Sequence, residues 1–383
     1  MEKELSIYVH IPFCNSKCYY CNFCSRKETL TTQNRFFKAI ENEIKAKSKN
    51  FSSFVVKTIY FGGGTPSVPS EKQIANLLKL IKKSFKISKD CEITIEANPN
   101  SLSLQKLVAY KKAGFNRLSI GVQTFNKKSL LYVGRLQTKE QAKEYRRKVI
   151  SCLNDAKRVG FQNISADFIL GLPYQKTLEI PQFLKQLSPY VTHFSCYMLQ
   201  VENGTKLYSM LDGKGNENLI LDQYKRAVKT LKRLHFRRYE ISNFARQNFE
   251  SKHNKVYWQR KNYVGFGPSA SSFSFEERTT NTNNLNEYIN FWENENPNLI
   301  NEPIAKEKLS KEQQAEEVIF LSLRTAKGLN LTEFNQKFYD FNEKNAKTLE
   351  KLTNLGLIEF ENEFLKLTDK GVLLENSIIV ELI

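Results

Sequence analysis

The stretch His10-Ile11-Pro12-Phe13-Cys14-Asn15-Ser16-Lys17-Cys18-Tyr19-Tyr20-Cys21-Asn22-Phe23-Cys24 decides how the rest of this chain is read. It sets three cysteines at the spacing Cys14-x3-Cys18-x2-Cys21 in one short loop, with a fourth, Cys24, just beyond. Four cysteines close a four-iron cluster and leave it an electron carrier, whereas three leave one iron open to bind and polarise a small molecule. Cys14, Cys18 and Cys21 are therefore read as ligands of a [4Fe–4S] cluster with an open iron. A tetrahedral zinc site would need Cys24 as its fourth ligand, but structural zinc sites usually split their ligands into two distant pairs, and these four fall within eleven residues. A disulfide framework fits less well, because seven cysteines in a long, lysine-rich chain are neither dense nor even in number. Such usage points to a reducing compartment. Cys91, Cys152 and Cys196 lie in apolar strand-like or helix-like surroundings, where a buried, inert thiol is expected.

Length and composition bound the rest. With 383 residues, 40% of them hydrophobic, the chain can bury a large core and has room for one large domain and one small one. It contains no run of about eighteen apolar residues, and its charged start lacks the apolar stretch of a secretory signal. A soluble, cytoplasmic protein is expected. The net charge of +18 raises nucleic acid or an anionic membrane as partner. The Lys and Arg residues are, however, scattered among Asn, Glu and Ser, which reads as a solvated basic surface, with at most a transient membrane association.

Over the first 240 residues, short apolar runs alternate with longer amphipathic, lysine-rich segments, the pattern of βα units around a parallel sheet. Candidate strands are Ile7–Ile11, Thr58–Phe61, Ile93–Ala97, Leu118–Gly121, Ile164–Leu170 and Phe194–Leu199. Six strands, each followed by helix-like sequence such as Gln73–Phe85 or Leu104–Ala113, predict an α/β fold with a partial (β/α)6 barrel. In closed barrels of this kind the chemistry sits at the C-terminal strand ends, and here those ends run into polar or glycine motifs.

After the first strand, on which Tyr8 and His10 share a face, comes the cysteine loop. After the second comes Gly62-Gly63-Gly64-Thr65-Pro66-Ser67, where three glycines let the backbone approach a ligand closely enough to meet the amino and carboxylate groups of an amino-acid moiety. A plain tight turn is the alternative. After the third comes Glu96, a carboxylate placed to pair with a ligand ammonium or with ribose hydroxyls. After the fourth come Gln123 and, past Gly134, Arg135, which is suited to bidentate pairing with a carboxylate. Asp167 lies inside the apolar fifth strand and needs a partner there.

These motifs resemble a known family. The cysteine spacing, with aromatic Tyr20 before the third cysteine, resembles the radical SAM superfamily. Tyr8-Val9-His10-Ile11-Pro12-Phe13-Cys14, the Gly-Gly-Gly-Thr-Pro turn, Gly121-Val122-Gln123-Thr124-Phe125, and Asp167 followed by Gly171-Leu172-Pro173 look like the coproporphyrinogen dehydrogenase (HemN) and heme chaperone (HemW) group within it. The resemblance covers nearly the whole chain. It implies that Cys14, Cys18 and Cys21 hold the cluster, and that Tyr8, Tyr20, Gly63, Gly64, Thr65, Glu96, Gln123, Arg135 and Asp167 surround S-adenosylmethionine. The dehydrogenase branch resembles Cys-x3-Cys-x2-Cys-x-Cys behind a long N-terminal extension; here Phe23 takes the fourth cysteine's place and only seven residues precede Tyr8, so the start resembles the HemW branch. His253-Asn254-Lys255-Val256-Tyr257-Trp258 fits a His-Asn-x-x-Tyr-Trp pattern associated with heme handling in that branch. It makes His253 a candidate ligand to heme iron, the alternative being a packed histidine. Gln137 and Ser271 stand where the family commonly has histidines, and Glu202-Asn203-Gly204-Thr205 replaces its Glu-Pro-Gly-Thr turn.

Glu240–Ala245 is expected to form a last strand and loop over the barrel mouth. Ser274–Glu307, rich in Asn, Glu and Pro, reads as a linker around one helix, Leu285–Glu293. Beyond it, helix-like segments at Glu312–Arg324, Leu331–Phe338 and Ala346–Leu355 precede a hairpin of Leu357–Phe360 and Phe364–Leu367, a winged-helix-like α+β order resembling the C-terminal domain of the HemN group. The expected division is 1–245, 246–307 and 308–383. The acidic turn Glu361-Asn362-Glu363 would repel phosphates, so this unit is read as docking on the barrel. The resemblance implies a heme chaperone that passes heme to a recipient protein and draws on an electron donor, both unidentified, with a homodimer through the cluster loop left open. The alternatives are an enzyme decarboxylating coproporphyrinogen III and, in another class, a nucleic-acid-binding module.

Overall fold

The protein is described by a computed structural model covering residues 2–274, 276–294 and 297–383. Strand alternation builds it. β1 (Lys3–Ile11), β2 (Phe54–Gly63), β3 (Lys86–Ala97), β4 (Arg117–Gln123), β5 (Asn163–Leu170) and β6 (His193–Met198) pair in parallel and in chain order. All six expected strands are present, most of them longer than their apolar runs. Ile7, Val9, Ile59, Phe61, Ile93, Ile95, Leu118, Ile120, Ile164 and Ala166 enter the apolar core. Helices Leu30–Lys47, Glu71–Ser84, Leu104–Ala113 and Lys139–Arg158 contribute Phe36, Leu77, Leu107 and Val149 to that core. The intervening residues point to the opposite, inner face, since successive strand side chains alternate. There stand Tyr8, His10, Thr58, Tyr60, Thr94, Glu96, Arg117, Ser119, Ser165 and Asp167. A polar lumen follows directly from the sequence pattern.

The sheet is open. Its twelve strands include four further ones on the far side of β1 and two on the far side of β6. β9 (Tyr263–Phe266) is a seventh parallel strand, paired with β1, that the periodicity did not single out; four residues that include Gly265 are too few to show a pattern. Two expectations are corrected here. The supposed linker, Ser274–Glu307, starts at the last residue of β10 (Ser271–Ser274) and carries β11 (Glu277–Asn281) and nearly all of β12 (Ile304–Lys308), and these three strands extend the sheet in antiparallel fashion. These edge strands are held by ladder hydrogen bonds and by the buried Asn281 side chain on Glu43 (2.7 Å), so they need few apolar residues. The helix within that segment spans Leu285–Trp292, while residues 275, 295 and 296 of it lie outside the described residues. Nor does Glu240–Ala245 roof the mouth: β8 (Asn243–Ala245) runs antiparallel beside the start of β6, with His193 opposite Ala245, and β7 (Arg237–Arg238) pairs antiparallel on the far side of β8.

The C-terminal unit is winged-helix-like. Helices Lys311–Leu323, Leu331–Lys337 and Phe341–Asn354 pack on a small sheet ordered β13 (Leu329–Asn330), β15 (Phe364–Leu367), β14 (Ile358–Glu361). It docks where the barrel strands begin. The Ala326 N–H donates to the Tyr239 carbonyl (3.0 Å), Glu240 bridges to Thr325, and Glu317 pairs with both Arg260 (2.5 Å) and Arg278. The unit is therefore fastened at the end of the barrel opposite the cysteine loop. Among the described residues, no helix is long and apolar enough to cross a membrane.

Glu240, at that seam, is 1% exposed; its Oε2 accepts from the Ser242 N–H (3.1 Å) and its Oε1 has no partner. Burial pushes its carboxyl from 4.5 up to about 7. The folded state then holds a proton that the unfolded state releases, so this group's contribution falls as pH rises from about 4.5 to about 7 and levels off above. Glu240→Gln should be more stable than the parent at pH 8, by about 3 kcal/mol, and similar to it near pH 4; denaturant midpoints at the two pH values check this.

Candidate functional site

The cysteine loop is tied down at its base and along its side. The Cys14 N–H donates to the Arg26 carbonyl (3.0 Å) and the Arg26 N–H to the Pro12 carbonyl (2.9 Å). The glycine turn after β2 laces onto the same segment, with the Gly64 N–H on the Ile11 carbonyl and the Thr65 N–H on the Phe13 carbonyl, each at 2.8 Å. A Cβ on Gly64 would stand 2.8 Å from the Phe13 carbonyl oxygen, so only glycine allows this approach. Cys14 Sγ lies 3.4 Å from Thr65 Oγ1, and the Arg135 guanidinium lies 3.9 Å from Cys18 Sγ. Burial raises the Cys21 thiol above its ordinary value. Cys24 turns away: its Sγ contacts the Asn283 carbonyl (3.4 Å) and its own carbonyl accepts from His10 Nε2 (2.8 Å). Among the described residues no three such side chains are already drawn together as a metal site, and Cys24 is engaged elsewhere, which counts against a four-cysteine zinc site.

Below the loop the lumen is stacked in layers. Glu96 accepts from the Tyr60 hydroxyl (2.7 Å), and burial raises its carboxyl to about 7. A Cβ on Gly62 would fall between Tyr60, Tyr8 and the Glu96 carboxyl, at 3.0 to 3.2 Å, so the turn and these side chains already touch. Gln123 sits at the end of β4 with φ +70°, a left-handed backbone that side chains seldom adopt. Its amide and the Arg135 guanidinium both crowd the face of Gly121, where a Cβ would meet them at 2.9 and 3.1 Å. Arg135 donates to the Gly121 carbonyl, yet its Nε is buried with no partner. Tyr20 packs into a small apolar cluster with Val133 and Ile169. Asp167 lies deeper and accepts from Ser119 (2.9 Å), Ser165 (2.9 Å) and Ser195 (2.7 Å). Burial raises its carboxyl while these hydroxyls and Arg117 counter that rise.

His253 is placed differently from a surface ligand. It is 1% exposed, inside the lower lumen, on the helix Lys252–Trp258. Its Nδ1 is 2.7 Å from Thr58 Oγ1 and its Nε2 2.9 Å from the Tyr257 hydroxyl, so both ring nitrogens are engaged. Glu92 accepts from the backbone N–H groups of Lys252 (3.1 Å) and His253 (3.0 Å), fixing the start of that helix. Arg117 was not singled out from the sequence, although it is 2% exposed in the lumen, its Nε has no partner, and among the described residues it makes no ion pair. The argument applied to Asp167, a charge opening an apolar strand, would have found it. Gln137, at one of the missing histidines, donates to the Gly134 carbonyl beside Arg135 (3.1 Å). Ser271, at the other, lines a cleft of about 390 Å³ together with Tyr8, His10, Phe23, Cys24 and Tyr257.

His10 joins these parts. A carbonyl can only accept, so Nε2 carries the proton given to the Cys24 carbonyl, and Nδ1 accepts from the Tyr8 hydroxyl (3.1 Å). Gly63, at φ +106°, lies so close that a Cβ there would stand 2.6 Å from the imidazole. One buried ring therefore positions the end of the cysteine loop and the Tyr8 hydroxyl, and requires glycine at 63.

Known proteins resemble this chain along its length. The radical SAM superfamily model matches residues 8–187 and the HemN C-terminal domain model residues 309–374. The chain is 34% identical to the heme chaperone HemW of Bacillus subtilis over 97% of both chains, and 34% identical to that of Lactococcus lactis over 99% of this chain and 97% of the relative. The chain belongs to the HemW family of radical SAM proteins. Its fold superposes on coproporphyrinogen III oxidase HemN of Escherichia coli with a TM-score of 0.83 at 25% identity, covering 100% of this chain and 90% of that one. Membership in a radical SAM family implies a [4Fe–4S] cluster and S-adenosylmethionine. The residues present fit both: three cysteines on one loop with the fourth turned aside, a glycine turn pressed against backbone, and a buried Arg135 Nε lacking a partner.

For this HemW family member, His10→Ala should lower iron retained after anaerobic reconstitution severalfold. His10→Gln, whose amide can still donate to the Cys24 carbonyl, should restore most of it. Equal losses in both variants, measured as iron per chain, would remove the positioning role.

Proposed function

We propose that this protein is a heme chaperone: a cluster- and S-adenosylmethionine-binding protein that carries heme to a recipient protein. The observation that supports it most is the three-cysteine loop set against the Glu96, Gln123 and Arg135 cradle, on a chain that aligns end to end with proteins named heme chaperones. In this reading Cys14, Cys18 and Cys21 hold the cluster, and Tyr8, Tyr20, Gly63, Gly64, Thr65, Glu96, Gln123, Arg135 and Asp167 form the wall around S-adenosylmethionine. The bound pair supplies one-electron chemistry on the sulfonium or a redox-sensitive gate. Arg135 turns its unpartnered Nε to the ligand carboxylate, Glu96 takes an ammonium or ribose hydroxyls, and the glycine turn keeps side chains out of the way. Heme is the cargo, with His253 its candidate iron ligand.

The likeness to coproporphyrinogen III oxidase supports a second reading, decarboxylation of a porphyrinogen propionate. Product analysis separates the two. The reconstituted protein, incubated anaerobically with coproporphyrinogen III, S-adenosylmethionine and a reductant, should give no vinyl product, yet it should bind hemin and pass it to an apo-hemoprotein. Vinyl product would overturn the chaperone reading. The cofactor cradle also has a pH signature. The Glu96 carboxyl at about 7 must be ionised to hold a cation, so S-adenosylmethionine affinity should rise as pH goes from 6 to 8. Glu96→Gln should weaken binding about tenfold and flatten that profile, as read by equilibrium dialysis.

A further inference from the structure

We propose that Thr65 and Arg135 donate hydrogen bonds to the cluster-bound sulfurs of Cys14 and Cys18, and that these two donors raise the potential at which the cluster takes up its electron. The inference rests on the reading above in which Cys14, Cys18 and Cys21 hold a [4Fe–4S] cluster. The four cysteines of the loop divide by the polarity of what they face. Cys14 Sγ lies 3.4 Å from the Thr65 hydroxyl, and Cys18 Sγ lies 3.9 Å from Nη1 of Arg135. Cys21 faces the Phe23 N–H. Each of these partners can donate. Cys24 Sγ instead lies 3.4 Å from the Asn283 carbonyl, which can only accept and therefore suits a protonated thiol. A metal-bound cysteine is a thiolate without an S–H, so its sulfur can only accept.

Both donors are fastened to the cysteine loop by backbone bonds at neighbouring residues. The Thr65 N–H donates to the carbonyl of Phe13, the residue before Cys14 (2.8 Å), while the Cys14 N–H is held by the Arg26 carbonyl (3.0 Å). Arg135 follows the same plan. It stands two residues past Val133, whose carbonyl accepts from the N–H of Tyr19, the residue after Cys18 (2.9 Å). The Tyr19 carbonyl in turn accepts from the Leu207 N–H (2.8 Å), and a Cβ on Gly134 would stand 2.6 Å from the Tyr19 ring. A cysteine side chain that rotates toward a metal therefore keeps its donor within reach, because the two backbones are tied together. Thr65 is 9% exposed, and among the described residues its hydroxyl has no other partner. Arg135 keeps Nη2 on the Gly121 carbonyl, which leaves Nη1 for the sulfur and Nε for the cofactor carboxylate.

Reduction adds one negative charge, shared between the cluster and its thiolate sulfurs. A donor aimed at such a sulfur binds the reduced form more strongly than the oxidised one, and hydrogen bonds to the sulfurs are among the factors that set the potentials of these clusters. Burial strengthens the effect, since the surrounding medium screens it less than water would. Arg135 adds a full positive charge to the bond it donates. The electron comes from an external one-electron reductant, and no covalent bond of the chain forms or breaks.

The test is a mediated redox titration of the reconstituted full chain under anaerobic conditions, without S-adenosylmethionine, followed by the EPR signal of the reduced cluster. The parent is compared with Thr65→Val, Thr65→Ser and Arg135→Leu. Valine keeps the shape and removes the donor, so at the parent's midpoint the ratio of reduced to oxidised cluster should fall about tenfold, a shift of about 59 mV to the negative. Serine keeps the hydroxyl and should return close to the parent. Arg135→Leu, which loses a charge as well as a donor, should move at least as far as Thr65→Val. Midpoints of Thr65→Val and Arg135→Leu equal to the parent's would overturn the proposal and leave the cluster assignment intact. Equal shifts in Thr65→Val and Thr65→Ser would overturn the hydroxyl's part, since they would mark a packing effect. Should Thr65→Val retain no iron, the Arg135→Leu midpoint decides by moving or standing still. A parent that takes up no EPR-active cluster would overturn the proposal together with the reading beneath it.

Discussion

Charges buried on the inner face of a parallel sheet must find their partners on neighbouring strands, and this constraint orders the whole lumen. Outward side chains in the middle of the strands are apolar and supply the core, so the buried charges Glu92, Glu96, Arg117 and Asp167 all face inward. Asp167 is satisfied by three hydroxyls from β4, β5 and β6, Glu96 by a phenol from β2, and Glu92 by the first N–H groups of a helix. Arg117 supplies the compensating positive field, with no direct ion pair among the described residues. Neutral histidines fill the gaps, His193 between Ser165 and Tyr239 and His253 between Thr58 and Tyr257. The groups left unsatisfied, such as Arg135 Nε, are then the informative ones, because a buried donor without a partner is costly unless a ligand completes it.

Much of this was legible in the sequence, and what was not has physical reasons. The six strands were readable because each combines an apolar outward set with a motif at its C-terminal end, and Tyr8, Glu96, Gln123 and Asp167 were found for that reason. The antiparallel strands β10 to β12 were not, since a sheet edge stabilised by backbone pairing and by Asn281 on Glu43 leaves little hydrophobic trace. β9 escaped because four residues cannot show a period. The direction in which Cys24 points is a tertiary fact, set by Asn283 more than 250 residues away and by His10, and no local spacing encodes it. The same holds for His253. Its motif was visible, but its enclosure by Thr58, Tyr60 and Glu92 depends on strands far upstream in the chain.

His10 and His253 show how one residue type can serve two ends by its surroundings. Each is buried and neutral, and each has both nitrogens engaged. His10 is locked by partners that cannot leave: a backbone carbonyl, a lumen tyrosine and the crowding of Gly63. It acts as scaffold. His253 is held by side chains instead, Thr58 and Tyr257 at its two nitrogens and Tyr60 against its ring face, and it ties the helix Lys252–Trp258 to the barrel strands.

The docking of the C-terminal unit at the beginnings of the strands has a consequence for how strain travels. Ala326, Thr325 and Glu317 are fastened to Tyr239, Glu240, Arg260 and Arg278. The Tyr239 hydroxyl also meets His193 Nε2 (2.9 Å) and the Ser251 N–H (3.3 Å), at the start of the helix that carries His253. One tyrosine thus braces the small unit, the sixth barrel strand and that helix, and a disturbance of any one of them is delivered to the other two.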